Sequence, residues 1–177
     1  LRRTVFSLSS LARVYLNWKY RSDIDNRPPE DIDKRLLEAF TDLENHPGVG
    51  SAYYELRSEE AEFAGDFPLA IDYMDQAVAA DGRFQLLSER WRLMIRSGDK
   101  SIAEQVLREL DQSRSIDELK NNWSLIVSGL AESYVRALRI SGEPLARVNA
   151  FAPELSSSEI GRIIGQSNRR MNKFSYA

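Results

Sequence analysis

Apolar residues recur at spacings of three and four along nearly the whole chain, and no stretch alternates apolar and polar positions between hairpin turns. The pattern predicts helices almost throughout. Breakers interrupt it regularly, at Asn26-Arg27-Pro28-Pro29, His46-Pro47-Gly48, Gly65-Asp66, Asp81-Gly82, Gly98-Asp99, Gly142-Glu143-Pro144 and Pro153. Between them lie segments of roughly 12 to 20 residues, the usual length of packed helices. The first two helices are expected near Arg3 to Tyr20 and over Asp31 to Glu44, the latter with Leu36, Leu37, Phe40 and Leu43 on one face. Residues 117–152 read as a further helix pair.

Two segments repeat. Gly65 and Gly98 are 33 residues apart, as are Ala70 and Ala103, and Ala77 and Leu110. This spacing resembles the tetratricopeptide repeat, with its period of about 34. Residues 51–84 resemble a nearly complete repeat: Gly65 at the interhelix turn, Phe67 just after it, Ala70 and Ala77 at the small contact positions, and Asp81 ending the second helix. Gly82 stands where that family often has proline, and Tyr54, Arg57 and Ser58 replace its Trp, Leu and Gly. Residues 85–112 form a looser copy. The resemblance implies an all-α fold of stacked antiparallel helix pairs, a right-handed α-solenoid over residues 1–152, followed over 153–177 by a C-terminal segment that either caps the stack or is helix-turn-helix-like. A small residue facing a large one lets two helices approach closely, and pairs stack because each leaves an apolar face uncovered.

The resemblance also implies a function. First helices of the pairs line the concave surface in this family, so the expected role is a protein-binding scaffold that grips a peptide or helix of a partner. The residues implicated are Tyr54, Arg57, Ser58 and Ala61, with Arg92 and Arg96 from the looser copy. The three arginines would either clamp a partner carboxylate, because guanidinium pairs with it bidentately, or only balance the adjacent acids.

The C-terminal stretch from Leu155 to Phe174 resembles a helix-turn-helix. Gly161 and Gly165 supply its small pair, Ile160 and Ile164 the first-helix core, Met171 and Phe174 the second, with Ser156 or Ser157 and then Ser167 as caps. This alternative makes the protein a DNA-binding regulator, with Asn168, Arg169, Arg170, Asn172 and Lys173 at the nucleic acid. A third reading is a non-catalytic regulatory module of a larger protein. Helical repeats followed by a winged helix also resemble the PCI domain of multi-subunit assemblies.

Composition narrows the chemistry. The 177 residues contain no cysteine and one histidine, which excludes disulfide scaffolds, thiol catalysis and multi-histidine metal sites. His46 reads as a helix C-terminal cap. The acids Asp23, Asp25, Glu30, Asp31 and Asp33 fail as a calcium loop, because Arg27, Pro28 and Lys34 occupy required positions; Glu30, Asp31 and Asp33 suit a helix start instead. Gly48-Val49-Gly50 and Gly98-Asp99-Lys100-Ser101 are turns, not phosphate loops. Glu55, Glu59 and Glu62 share a helix face, a solvated or partner-facing stripe. No enzyme, metal or cofactor is expected.

The net charge of −3 hides a gradient. Residues 1–21 hold five bases and no acid, residues 22–66 have a net charge of −9, and residues 119–177 a net charge of +4. Such a chain can present faces of opposite sign to different partners, although solvated helix faces are the simpler account of any single stretch. No window is apolar enough to span a membrane, so a cytoplasmic location is expected. The acid-free, Arg- and Ser-rich start is also the composition of a transit peptide. With Leu1 as first residue, a piece of a longer protein is expected, and the segment reads as an amphipathic helix.

Overall fold

A computed structural model describes residues 4–21 and 28–174; the side chains of 117, 118 and 168–174 lie outside this description. The fold is all-α, with no strand among the described residues. In chain order the helices are α1 (Val5–Arg21), α2 (Ile32–Glu44), α3 (Ala52–Phe63), α4 (Phe67–Ala80), α5 (Phe84–Arg96), α6 (Lys100–Gln112), a 3₁₀ turn (Ser113–Ser115), α7 (Asp117–Ser141), α8 (Arg147–Phe151) and α9 (Ser157–Phe174). Two compact units, residues 1–90 and 91–177, divide the chain inside α5. The sequence reading divides it at 152/153.

In the first unit α1 packs on α2, α3 on α4, and α1 on α3. Thr4 opens α1 with reciprocal bonds: its Oγ1 accepts from the Ser7 N–H (3.2 Å), and its own N–H donates to Ser7 Oγ (2.9 Å). Leu8, Ala12 and Leu16 of α1 close on Leu36, Ala39, Phe40 and Leu43 of α2 and on Leu56 of α3. Leu37, expected in this face, is 65% exposed. It stands about 100° around the helix from Leu36, outside the stripe that Leu36, Phe40 and Leu43 define.

The α3–α4 pair is built on small residues. Ser58, Ala61, Ala70 and Ala77 are all buried, and Ser58 Oγ donates to the Ala70 carbonyl oxygen across the pair at 2.7 Å. A bond that short between one helix's side chain and the other's backbone requires the axes to come close. Between them Gly65 adopts φ +79°, the left-handed region that favours glycine. The Asp66 N–H reaches the Ala61 carbonyl oxygen (2.9 Å) and the Gly65 N–H that of Glu62 (3.1 Å), the double closure of a Schellman turn. Asp66 then caps α4, its side chain accepting from the Leu69 N–H.

In the second unit the end of α5 meets α6, where Trp91 Nε1 donates to Glu109 at 2.8 Å. Gly98 repeats the left-handed turn at φ +71°, and Asp99 caps α6 by accepting from the N–H groups of Ser101 and Ile102. Residues 117–152 depart from the expected pair. The 25 residues of α7 run unbroken to Gly142, and only the five-residue α8 follows. Helices α6, α8 and α9 all pack on α7.

The expected helix-turn-helix is not formed: Ser157 to Phe174 is one helix that passes through Gly165. Ile160, Ile163 and Ser167 are buried at spacings of three and four, so one buried stripe continues across the supposed turn. Interior glycine costs a helix about 1 kcal/mol and does not by itself end it. Ile163, not Ile164, is the buried partner, and Arg139 of α7 donates to the Ile164 carbonyl oxygen at 3.2 Å. Ser156 does cap this helix: its Oγ accepts from the Glu159 N–H (3.3 Å), and its N–H donates to the Glu159 carboxylate (2.8 Å). Ser167, expected as a second cap, is buried in mid-helix.

The α3–α4 contact predicts two different costs. Ala70→Leu should overpack the pair and lower stability by about 1–3 kcal/mol. Gly65→Ala places a Cβ in open space and should cost about 1 kcal/mol through its positive φ alone. Urea unfolding with an unchanged slope and a lower midpoint checks both.

Candidate functional site

The residues expected to hold a partner occupy very different positions. Ser58 and Ala61 are buried within the α3–α4 contact, so no partner reaches them. The helical period explains this: Ser58 and Ala61, three residues apart, share the face of α3 that meets α4, while Leu56 lies on the other side against α1 and α2. Tyr54 is half-buried, its ring edge-to-face with Tyr53 at 5.4 Å. Arg57 is half-buried, its guanidinium 5.0 Å from the Phe40 ring and 5.3 Å from the Tyr73 ring. It donates to Glu60 (2.6 Å) and to the Tyr73 hydroxyl (3.3 Å). That environment makes Arg57 a strut between α2, α3 and α4. Arg92 is half-buried and Arg96 exposed on the last turns of α5, and both already interact with other groups. Arg57 belongs to the first unit, Arg92 and Arg96 to the second.

The charged stretches also find partners inside the first unit. Arg13 of α1 meets Glu59 of α3 (3.1 Å), and Lys19 of α1 meets Asp33 of α2 (2.9 Å). Glu55 accepts from Ser51 (2.7 Å) and from Arg83 (3.2 Å). The basic start and the acidic middle therefore face each other. Asp31 pairs with Arg35 at 2.9 Å, one turn on, as a helix-start residue does. Asp23 and Asp25 lie outside the described residues. His46 Nδ1 accepts from the Gly48 N–H at 3.2 Å and holds the turn after α2. Asn168, Arg169, Arg170, Asn172 and Lys173 continue α9, and their side chains lie outside the described residues.

Two features were not singled out from the sequence. The first is the outer face of α1, where Phe6 is 82% exposed, Val14 46% and Trp18 43%. At spacings of eight and four these three lie within about a third of the helix circumference, opposite Leu8, Ala12 and Leu16. Helix α1 is thus apolar on two faces. The signal was present in the sequence, as a helix whose apolar residues do not all fit one stripe.

The second feature is a cavity of about 230 Å³ in the second unit, lined by Asp111, Arg114, Tyr134, Arg147, Ala150 and Phe151. Its floor is the Tyr134–Phe151 pair, stacked at 4.2 Å and 6°. The Tyr134 hydroxyl donates to Asp111 Oδ1 (2.8 Å), and Arg147 Nη2 donates to Asp111 Oδ2 (3.1 Å). Arg114 Nη2 donates to the Phe151 carbonyl oxygen (3.0 Å) and to Glu154 (2.7 Å), with its guanidinium 4.5 Å from the Trp123 ring. These residues come from α6, the 3₁₀ turn, α7 and α8, so no local motif announces them. Burial first, and then the hydrogen bond to the Asp111 carboxylate, push the Tyr134 phenol up to about 12.

A raised phenol binds its proton more tightly in the folded chain than in the unfolded one. Its contribution to stability is complete below pH about 10 and is lost as pH rises toward about 12. Tyr134→Phe should remove the most alkaline step of the phenolate absorbance titration and flatten the stability curve over that window. Loss of a step near pH 10 instead would place Tyr134 in a solvated setting.

No family model, no curated protein and no solved structure matches the chain.

Proposed function

We propose that this chain is a protein-binding helical module whose docking surface is the outer face of α1. The observation that carries the reading is the exposed row of Phe6, Val14 and Trp18 on a helix whose opposite face is already buried in the core. Large apolar side chains gathered on one exposed face mark interaction surfaces more often than singly scattered ones. From Phe6 to Trp18 the row spans 12 residues, about 18 Å at 1.5 Å per residue, or just over three turns. An amphipathic helix of a partner protein, with its own apolar residues at spacings of three and four, matches that length and periodicity.

The tetratricopeptide-like reading of the array rests on the α3–α4 pair. Gly65 at the turn and Ala70 and Ala77 at the contact stand where that repeat needs a left-handed residue and small ones. In such an array α1 and α3 are first helices of successive pairs and lie side by side, as their packing and the Arg13–Glu59 bridge support. The partner surface moves from the α3 residues expected from sequence to α1, because Ser58 and Ala61 are spent on internal packing. The helix-turn-helix alternative has lost its turn.

A photo-crosslinking residue at position 14 tests this reading, in the full chain and in a Phe6→Ser, Trp18→Ser background. We expect crosslinks to a partner protein, reduced about tenfold or more in the double variant. The variant should keep its unfolding midpoint, since exposed positions change stability by only about 0.5 kcal/mol. A crosslink only to a second copy of the chain would make the row a self-association surface. Crosslinks unaffected by the two serines would remove it as a docking site.

A further inference from the structure

We infer that the cavity beside α8 is a binding site for a small zwitterion, an α-amino acid with an apolar side chain. The lining carries charge of both signs, two guanidiniums (Arg114, Arg147) and one carboxylate (Asp111), over an apolar surface of Ala150 and Phe151. A simple anion entering it meets Asp111, and a simple cation meets the two arginines. A ligand with a carboxylate and an ammonium on one carbon answers both at once.

The groups keep capacity for it. Asp111 spends one oxygen on the Tyr134 hydroxyl and the other on Arg147, and each carboxylate oxygen accepts a second bond. Arg114 spends only Nη2, on the Phe151 carbonyl oxygen and Glu154, which leaves Nε and Nη1 for a carboxylate. Asp111, Arg114 and Arg147 are each about 40% exposed at the side chain, so a ligand reaches them from solvent. Arg147 is held besides by Glu143 at 3.4 Å. Such exposed bridges are individually weak, so they leave the guanidiniums open to a ligand. A volume of about 230 Å³ corresponds to roughly eight waters at about 30 Å³ each. That suits a ligand of about ten heavy atoms, the size range of leucine and phenylalanine.

The reporter is already in place. Trp123 lies under Arg114 and edge-on to Phe151, with centroids 5.8 Å apart, so its indole N–H resonance senses ligand at the site. The experiment titrates the full chain with L-phenylalanine and L-leucine, and separately with 3-phenylpropionate and phenethylamine, which lack the ammonium and the carboxylate in turn. The Trp123 resonance is assigned by Trp123→Phe. The expected result is a saturable shift with the amino acids and an affinity at least about tenfold weaker for both truncated probes. Asp111→Asn and Arg114→Gln should each weaken the amino acids about tenfold, with backbone spectra that otherwise overlay the parent. If Asp111→Asn fails to fold, Arg114→Gln alone decides. Equal binding of 3-phenylpropionate would make this a plain anion site and overturn the proposal. No saturation by about 10 mM amino acid would leave the cluster as a structural junction, and also overturn it.

Discussion

The structure depends on how closely two helices approach at small residues. In the first unit the requirement is met by Ser58, Ala61, Ala70 and Ala77, and its tightness is visible in a serine hydroxyl bonded to a backbone carbonyl of the next helix at 2.7 Å. Once α3 and α4 are that close, the connection between them has to be short. Gly65 supplies the left-handed residue, and Asp66 closes one helix and caps the next. Gly98 and Asp99 solve the same problem before α6, where Ala103 is again completely buried. The same economy removes Ser58 and Ala61 from any partner surface. A residue small enough to permit the approach is enclosed by it.

The helices and their ends were legible in the sequence because their signals are local. Glycine at a positive φ, aspartate at an N-cap, and apolar residues at spacings of three and four act within a few residues of one another. What failed was the choice of face or the weight given to a breaker. Leu37 is adjacent to a true core position, and adjacency in a helix is a rotation of about 100°. Gly165 looked like a turn because two glycines are spaced as a helix-turn-helix spaces its small pair. The unbroken Ile160, Ile163, Ser167 stripe against α7 outweighed it. The cavity was illegible for the opposite reason: its members are up to 40 residues apart and meet only because α8 folds back onto α7.

Charge behaves in the same non-local way. A basic first segment and an acidic middle suggested two faces of opposite sign, yet in the fold α1 lies against the helices that hold those acids. Arg13 with Glu59 and Lys19 with Asp33 bring the gradient to its own complement. Exposed pairs of this kind add little stability each, but they favour one register of α1 over its neighbours. Arg57 carries this further, since stacking between Phe40 and Tyr73 uses the flat face of the guanidinium while Glu60 takes its edge. Two of the groups a carboxylate clamp would offer, Nη1 and Nη2, are already given to Glu60 and the Tyr73 hydroxyl.

The surfaces left over after packing are where recognition has room to occur, and the two units leave different remainders. In the first, α1 is apolar on both sides and only one side is used, so the remainder is an exposed row of large side chains with helical spacing. In the second, the mismatch is one of length. Helix α7 has 25 residues and α8 only five, less than two turns. So short a helix cannot cover the flank of α7 beside the end of α6. The uncovered part is a recess, edged by the Tyr134–Asp111–Arg147 network on one side and by Arg114, bonded to the Phe151 carbonyl oxygen and Glu154, on the other. An exposed apolar row offers shape and area to a ligand, which is why a helix of another protein is the occupant proposed for it. A recess of fixed charges selects for the placement of charge on a small molecule. The two remainders therefore call for different ligands, and both follow from how much of each helix its neighbours cover.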